Sequence, residues 1–196
     1  MAMQIGIDIS QIAFEGTGVA TYVRNLVSHL IEQYPEHSYT LFGASLRQRQ
    51  RFITFTDTLS KKASLRLVTV PIPPTILEFF WNRLGFPPVE WFTGPLDIFW
   101  SSDWTQPKTS AIAVTTIHDL SIYRYELESH NKASVDMHDG TVSSNIVAVQ
   151  KRRLKRAAHL CTAFFCDSEA TKKDAMEILH IPEKNLHIVY PGWGTV

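Results

Sequence analysis

The run Ala113–Ser121, AVTTIHDLS, is a β-branched apolar stretch that ends abruptly in His118 and Asp119. An imidazole beside a carboxylate can hold or move a proton, or hydrogen-bond the hydroxyls of a polar ligand. At the carboxyl end of a parallel strand such a pair faces a crevice, which is where open α/β sheets bind their ligands. The plainer alternatives are a core histidine whose hydrogen bonds are satisfied, and an aspartate that caps the turn after it. Two further stretches fall at equivalent places. FEGTGVATY sets Gly16, Thr17 and Gly18 after the first apolar run, where glycines let a backbone approach a ligand and the free amides of a helix start attract anions or sugar hydroxyls. CDSEATKKD sets Asp167, Ser168 and Glu169 after a later one, with Ser168 a natural helix cap and Glu169 suited to the first helical turn.

The glycine spacing is not that of a dinucleotide fingerprint, because Thr21 stands where G-x-G-x-x-G requires its third glycine, so NAD is disfavoured. A tight turn capped by Thr17 or Gly18 would explain the loop equally well. SSDWTQ supplies Asp103 and Trp104, a carboxylate and a stacking surface of the kind carbohydrate sites use, or else an ordinary surface loop. His130, Asp136, His138 and Asp139 invite a metal, but they lie in the polar stretch Glu128–Asn145, which has no helical or strand spacing to set a ligand geometry. The expectation is therefore no metal.

These residues need a scaffold, and the chain alternates strand-like and helix-like segments in the manner of a parallel sheet covered on both faces. Strands are predicted at Gln4–Ile9, Ser38–Gly43, Ser64–Val70, Asp97–Ser102, Ser110–His118, His159–Ser168 and Asn185–Tyr190. Between the first two, Val19, Val23, Leu26, Val27, Leu30 and Ile31 recur at helical spacing, a stripe that would pack on the sheet. Helices are also predicted over Ile146–Ala158 and Glu169–His180, while the segments LRQRQRF and DTLSKK read as connections. The fold class is α/β, a Rossmann-like domain with a mostly parallel sheet of about seven strands flanked by helices on both faces.

A chain of 196 residues, 44% hydrophobic, suits one domain with a real core. Lys plus Arg and Asp plus Glu are both 19, so no global field selects nucleic acid or an anionic surface as partner. The basic run QKRRLKRAAH then reads as a solvated helix face. PIPPTILEFFWNRLGFPPVEWF is dense in Phe and Trp; core or interdomain packing is the favoured reading, and an apolar patch toward a membrane or a hydrophobic acceptor is the other. Cys161 and Cys166 lie five positions apart in one apolar run, hence on opposite faces if that run is a strand, which argues against a disulfide. Met1–Ser10 reads as a strand rather than a signal peptide, and no apolar run reaches the ~18 residues of a membrane span. A cytoplasmic setting is the simplest expectation.

Taken in order, GIDIS…GTGVATYVRNL, DIFWSSDW, VTTIHDLS, KRRLKRAAHLCTAFFCDSEATKKD and IPEKNLHIVYPG resemble the amino-terminal domain of GT4-family glycosyltransferases. Those are retaining enzymes of the GT-B fold, two Rossmann-like domains facing each other across a cleft. The resemblance covers Gln4 to about Gly192 and implies the acceptor-side half, the nucleotide-sugar half being a further domain outside these residues. It implies a saccharide or lipid-linked acceptor, a nucleotide-sugar donor, no obligatory metal, and peripheral contact with the inner face of a membrane. Gly16–Gly18 match the family's glycine loop near the donor phosphates and acceptor, His118 the histidine beside the transferred sugar, and Ser168 and Glu169 the helix start facing the same cleft. Asp119 would orient the loop or contact the acceptor. Two other readings stand beside it: a sugar- or partner-binding module without catalysis, and the first domain of a sugar-nucleotide epimerase.

Overall fold

The computed structural model describes residues 1–102, 105–121, 123 and 144–190. The elements are β1 (Gln4–Asp8), α1 (Gly18–Gln33), β2 (Ser38–Ala44), α2 (Arg49–Asp57), β3 (Ser64–Val70), α3 (Pro74–Phe79), α4 (Glu90–Thr93), β4 (Ile98–Ser102), β5 (Ile112–Ile117), α5 (Ser144–Leu160), β6 (Ala163–Cys166), α6 (Glu169–Leu179) and β7 (Leu186–Ile188). A 3-10 turn at Ser10–Ala13 precedes α1, and a π-helical turn at Phe80–Leu84 prolongs α3.

All seven strands form one sheet in the order β3-β2-β1-β4-β5-β6-β7, and every pairing is parallel. The domain is thus the α/β, Rossmann-like fold that the alternation predicts. Side chains alternate between the two faces of each strand. On one face Ile5, Ile7, Tyr39 and Leu41 meet Val23, Val27 and Ile31 of α1 and Phe52 and Phe55 of α2. On the other, Phe42, Ala44 and Phe99 pack with Leu77 and Trp81, while Ala113, Ile117, Phe164 and Cys166 pack with Leu154 and Ala157 of α5 and Ala175 of α6.

Three segments depart from the sequence-based expectation. α2 forms where only connections are predicted, because two buried residues at i and i+3, Phe52 and Phe55, are too short a stripe to stand out. The strand predicted over His159–Ser168 is only Ala163–Cys166: its start belongs to α5, since a continuous apolar run does not distinguish the last turn of a buried helix from a strand. Cys161 therefore lies between helix and strand, and the opposite-face argument against a disulfide falls. The aromatic-rich segment Pro71–Phe92 forms α3, the π-turn and α4, and it is core on one side only: Trp81 is fully buried, whereas Phe79, Phe80, Phe86 and Trp91 are exposed.

Both cysteines are free and buried in the same cluster, and burial pushes the thiol of Cys161 up to about 12 and that of Cys166 to about 11. The unfolded chain would release these protons first, so this contribution to stability is complete below about pH 8.5 and is lost as pH climbs toward the folded values. Two outcomes follow: a thiol-specific disulfide reagent labels neither cysteine in native protein near pH 8, and the denaturant midpoint falls as pH is raised above about 9.

Candidate functional site

In the strand order, β2 and β3 lie on one side of β1, and β4 through β7 on the other. The direction of travel therefore switches between β1 and β4, and connections leaving the carboxyl ends of the strands separate there and open a crevice.

The loop after β1 is built by polar side chains. Asp8, buried at the strand end, accepts from the Ser10 amide (2.8 Å), and Ser10 Oγ accepts from the Ala44 amide at the end of β2 (2.9 Å). Gly16 has φ 80°, a left-handed conformation that a side chain would strain. Thr17 caps α1, accepting from the Ala20 amide (3.2 Å) while donating to the Phe14 carbonyl (2.9 Å). Gly18 is different: its φ lies outside the left-handed region, and a Cβ there would meet nothing within 4 Å, so neither backbone nor packing requires glycine. Gly16, Thr17 and Gly18 line one end of an open groove of about 510 Å³ that runs along Thr21, Tyr22, Asn25 and His29 of α1. Thr17 also lines a second groove, of about 560 Å³, against Pro74, Thr75 and Glu78 of α3 and Arg153 of α5.

Strand register sets the second part of the site. Ile117 pairs with Cys166, so the next residues, His118 and Asp167, emerge side by side from β5 and β6. His118 Nδ1 stands 3.6 Å from Asp167 Oδ2. The carboxylate favours the tautomer with its proton on Nδ1, which leaves Nε2 as an acceptor. Nε2 is buried and has no hydrogen-bond partner among the described residues. The ring edge packs on Tyr22, with centroids 4.9 Å apart and planes at 87°, which ties the helix behind the glycine loop to the His118 strand. Tyr22 in turn shares Thr116 Oγ1 with the Trp100 indole, at 3.4 and 3.1 Å. Burial raises the Tyr22 hydroxyl above its ordinary pKa, partly offset by the Thr116 bond, so it stays protonated.

Ser168 caps α6, its Oγ accepting from the Thr171 amide (3.1 Å). Thr171 Oγ1 lies 3.1 Å from Asp167 Oδ1 and 3.3 Å from the His118 carbonyl, so the cap, the carboxylate and the histidine loop hold one another. Ser168→Ala is expected to cost about 1 kcal/mol in denaturant unfolding, as loss of a helix cap does. Glu169 occupies the first turn of α6, and no hydrogen bond joins it to His118. Asp119 is exposed and spends its Oδ1 on its own turn, accepting from the Ser121 amide (3.0 Å) and hydroxyl (2.7 Å). The capping alternative thus describes Asp119, and the carboxylate that faces His118 is Asp167.

No protein-family model matches the chain, and no curated protein does. Among solved structures, an alpha-glucosyltransferase in complex with UDP and a 13-mer DNA containing an HMU base is similar over 98% of this chain and 43% of its own, at 13% identity and a TM-score of 0.47. The chain spans less than half the length of that structure, and a likeness of this degree carries nothing about substrate or chemistry.

Asp103 and Trp104, and the candidate metal residues His130, Asp136, His138 and Asp139, lie outside the described residues. Among the described residues no cluster of three His, Cys, Asp or Glu side chains could hold a metal ion, and no helix is long and apolar enough to cross a membrane. Tyr22, Thr116 and Thr171 escape the sequence reading. Tyr22 had a signal in being an aromatic one turn beyond Gly18, but the partners of all three depend on strand order.

Proposed function

We propose that this domain is the acceptor-side half of a retaining, nucleotide-sugar-dependent glycosyltransferase of the GT4 type, acting with a second domain that grips the donor. The observation that carries the reading is His118: oriented by Asp167, walled by Tyr22, with Nε2 left as a buried acceptor at the carboxyl edge of the sheet. An unpaired buried acceptor is costly, and a sugar hydroxyl donating to it would offset that cost. Gly18 adds support, since its bare first turn serves no need of the fold and leaves helix amides open to a phosphate or sugar. In the reaction the bond from the anomeric carbon to the leaving diphosphate breaks, the acceptor oxygen bonds to that carbon on the same face, and the acceptor proton passes to the leaving phosphate. His118 holds the sugar, and α1 presents its amino-terminal end to developing negative charge. The acceptor is a saccharide or a lipid-linked molecule, and no metal is required.

The test uses the naturally encoded polypeptide with UDP- and GDP-sugars and candidate acceptors, reading nucleoside diphosphate release and product stereochemistry. Gly18→Val should melt like wild type and yet lose most transfer. Sugar binding without diphosphate release would instead favour a binding module, and inverted product would overturn the retaining assignment.

A further inference from the structure

The loop Phe14–Gly18 is exposed, and its own hydrogen bonds are local: Thr17 Oγ1 donates to the Phe14 carbonyl, and the Phe14 amide donates to Gln11. Among the described residues, the side chain that ties its start to the body of the domain is Arg51 on α2. Arg51 Nη1 donates to the Ala13 carbonyl (2.6 Å), and Nη2 stands 3.4 Å from Glu15 Oε2. The planar fork spans both groups, so one side chain fixes where the loop begins and where its carboxylate points. α2 is a firm base for this. The next residue, Phe52, is fully buried, and its ring lies so close to β2 that a Cβ at Gly43 would stand 2.7 Å from it. Phe55 joins the same cluster as Val23 and Val27 of α1, and Arg24 of α1 lies 5.4 Å over its ring.

Arg51 restrains a negative charge beside a helix start that attracts one. The Gly18 and Val19 amides donate to no described residue, and the first turn of α1 carries no acidic side chain of its own. Glu15, two positions before the Thr17 cap, is the nearest carboxylate in sequence and is long enough to fold back onto those amides, a favourable place for an anion. We infer that Arg51 is a positioning residue that holds the Glu15 carboxylate off the amino-terminal end of α1 and so keeps its amides open to an external diphosphate. The diphosphate comes from the proposed function; the restraint on Glu15 does not depend on it. Without Arg51, Glu15 would compete with the ligand for the same amides and repel its charge.

Two measurements on the naturally encoded polypeptide decide it: calorimetric binding of inorganic pyrophosphate, and the amide resonances of Gly18 and Val19. Arg51→Met should melt like wild type, because the Arg51 and Glu15 side chains are 33% and 59% exposed and such a pair adds little to stability. It should weaken pyrophosphate binding about tenfold and shift both amide resonances as Glu15 closes on them. Arg51→Met combined with Glu15→Gln should recover the wild-type affinity and the wild-type resonances, a rescue that a merely structural arginine would not show. Arg51→Lys, which keeps the charge and loses the fork, should lose less than Arg51→Met. Unmoved amides in Arg51→Met, or a loss of affinity that Glu15→Gln does not reverse, would overturn the inference. Amides that shift and recover in a protein that ignores pyrophosphate would uphold the restraint and overturn instead the assignment of this loop to a phosphate ligand.

Discussion

Replacing His118 by Ala should lower kcat/KM for sugar transfer about 100-fold, with donor affinity changed far less. The figure corresponds to one hydrogen bond to a reacting sugar plus the penalty of its absence, on the order of 2–3 kcal/mol. A purely structural histidine would give a different signature, a lowered melting temperature with turnover retained in the folded fraction. Asp167→Asn separates the two further. Asp167 acts through His118, 3.6 Å away, so its loss should cost about tenfold alone and almost nothing in the His118→Ala background. Additive losses in that cycle would assign Asp167 a separate task, and full turnover in His118→Ala would remove the histidine from the mechanism.

The largest expected effect on stability is at Trp81. The side chain is fully buried and packs on Phe42 at 5.5 Å and Phe92 at 6.3 Å between ring centroids. Trp81→Ala should destabilise by about 3–5 kcal/mol, the usual range for truncating a buried large aromatic. Trp81→Phe should cost much less, because it keeps most of the ring volume and removes an indole N–H that has no partner among the described residues. The consequence reaches the crevice. The adjacent Asn82 accepts from Thr105 Oγ1 (3.2 Å) and the Gln106 amide (3.1 Å), which anchors the chain after β4. Equilibrium denaturation measures the cost; a loss below about 1 kcal/mol would mean that α3 and its π-turn do not dock as described.

Much of the architecture was legible because local pattern is enough for it. β3 is Ser64–Val70 in both readings, since Leu65, Leu67, Val68 and Val70 make a short apolar run that Pro71, Pro73 and Pro74 end. The α1 stripe was legible for the same reason: Val23, Val27 and Ile31 are buried at a helical interval. Where pattern is weak it failed. α2 has two buried residues to show, and the aromatics of Pro71–Phe92 look alike in sequence although Trp81 is core and Trp91 is exposed. Hydrophobicity says that a side chain can be buried; it does not say which of two apolar sides finds a partner.

The sequence by itself determined an alternating α/β chain, a glycine-bearing turn after its first strand, and a histidine where its fifth strand ends. These follow from nearest-neighbour preferences and periodicity. Tertiary structure alone decided that the strand order of this all-parallel sheet switches between β1 and β4, that Asp167 and not Asp119 is the carboxylate facing His118, and that Tyr22 closes the distance between helix and strand. Each of these is a contact between residues far apart in the chain. Such contacts are set by pairing register and packing, and no local window of residues contains both partners.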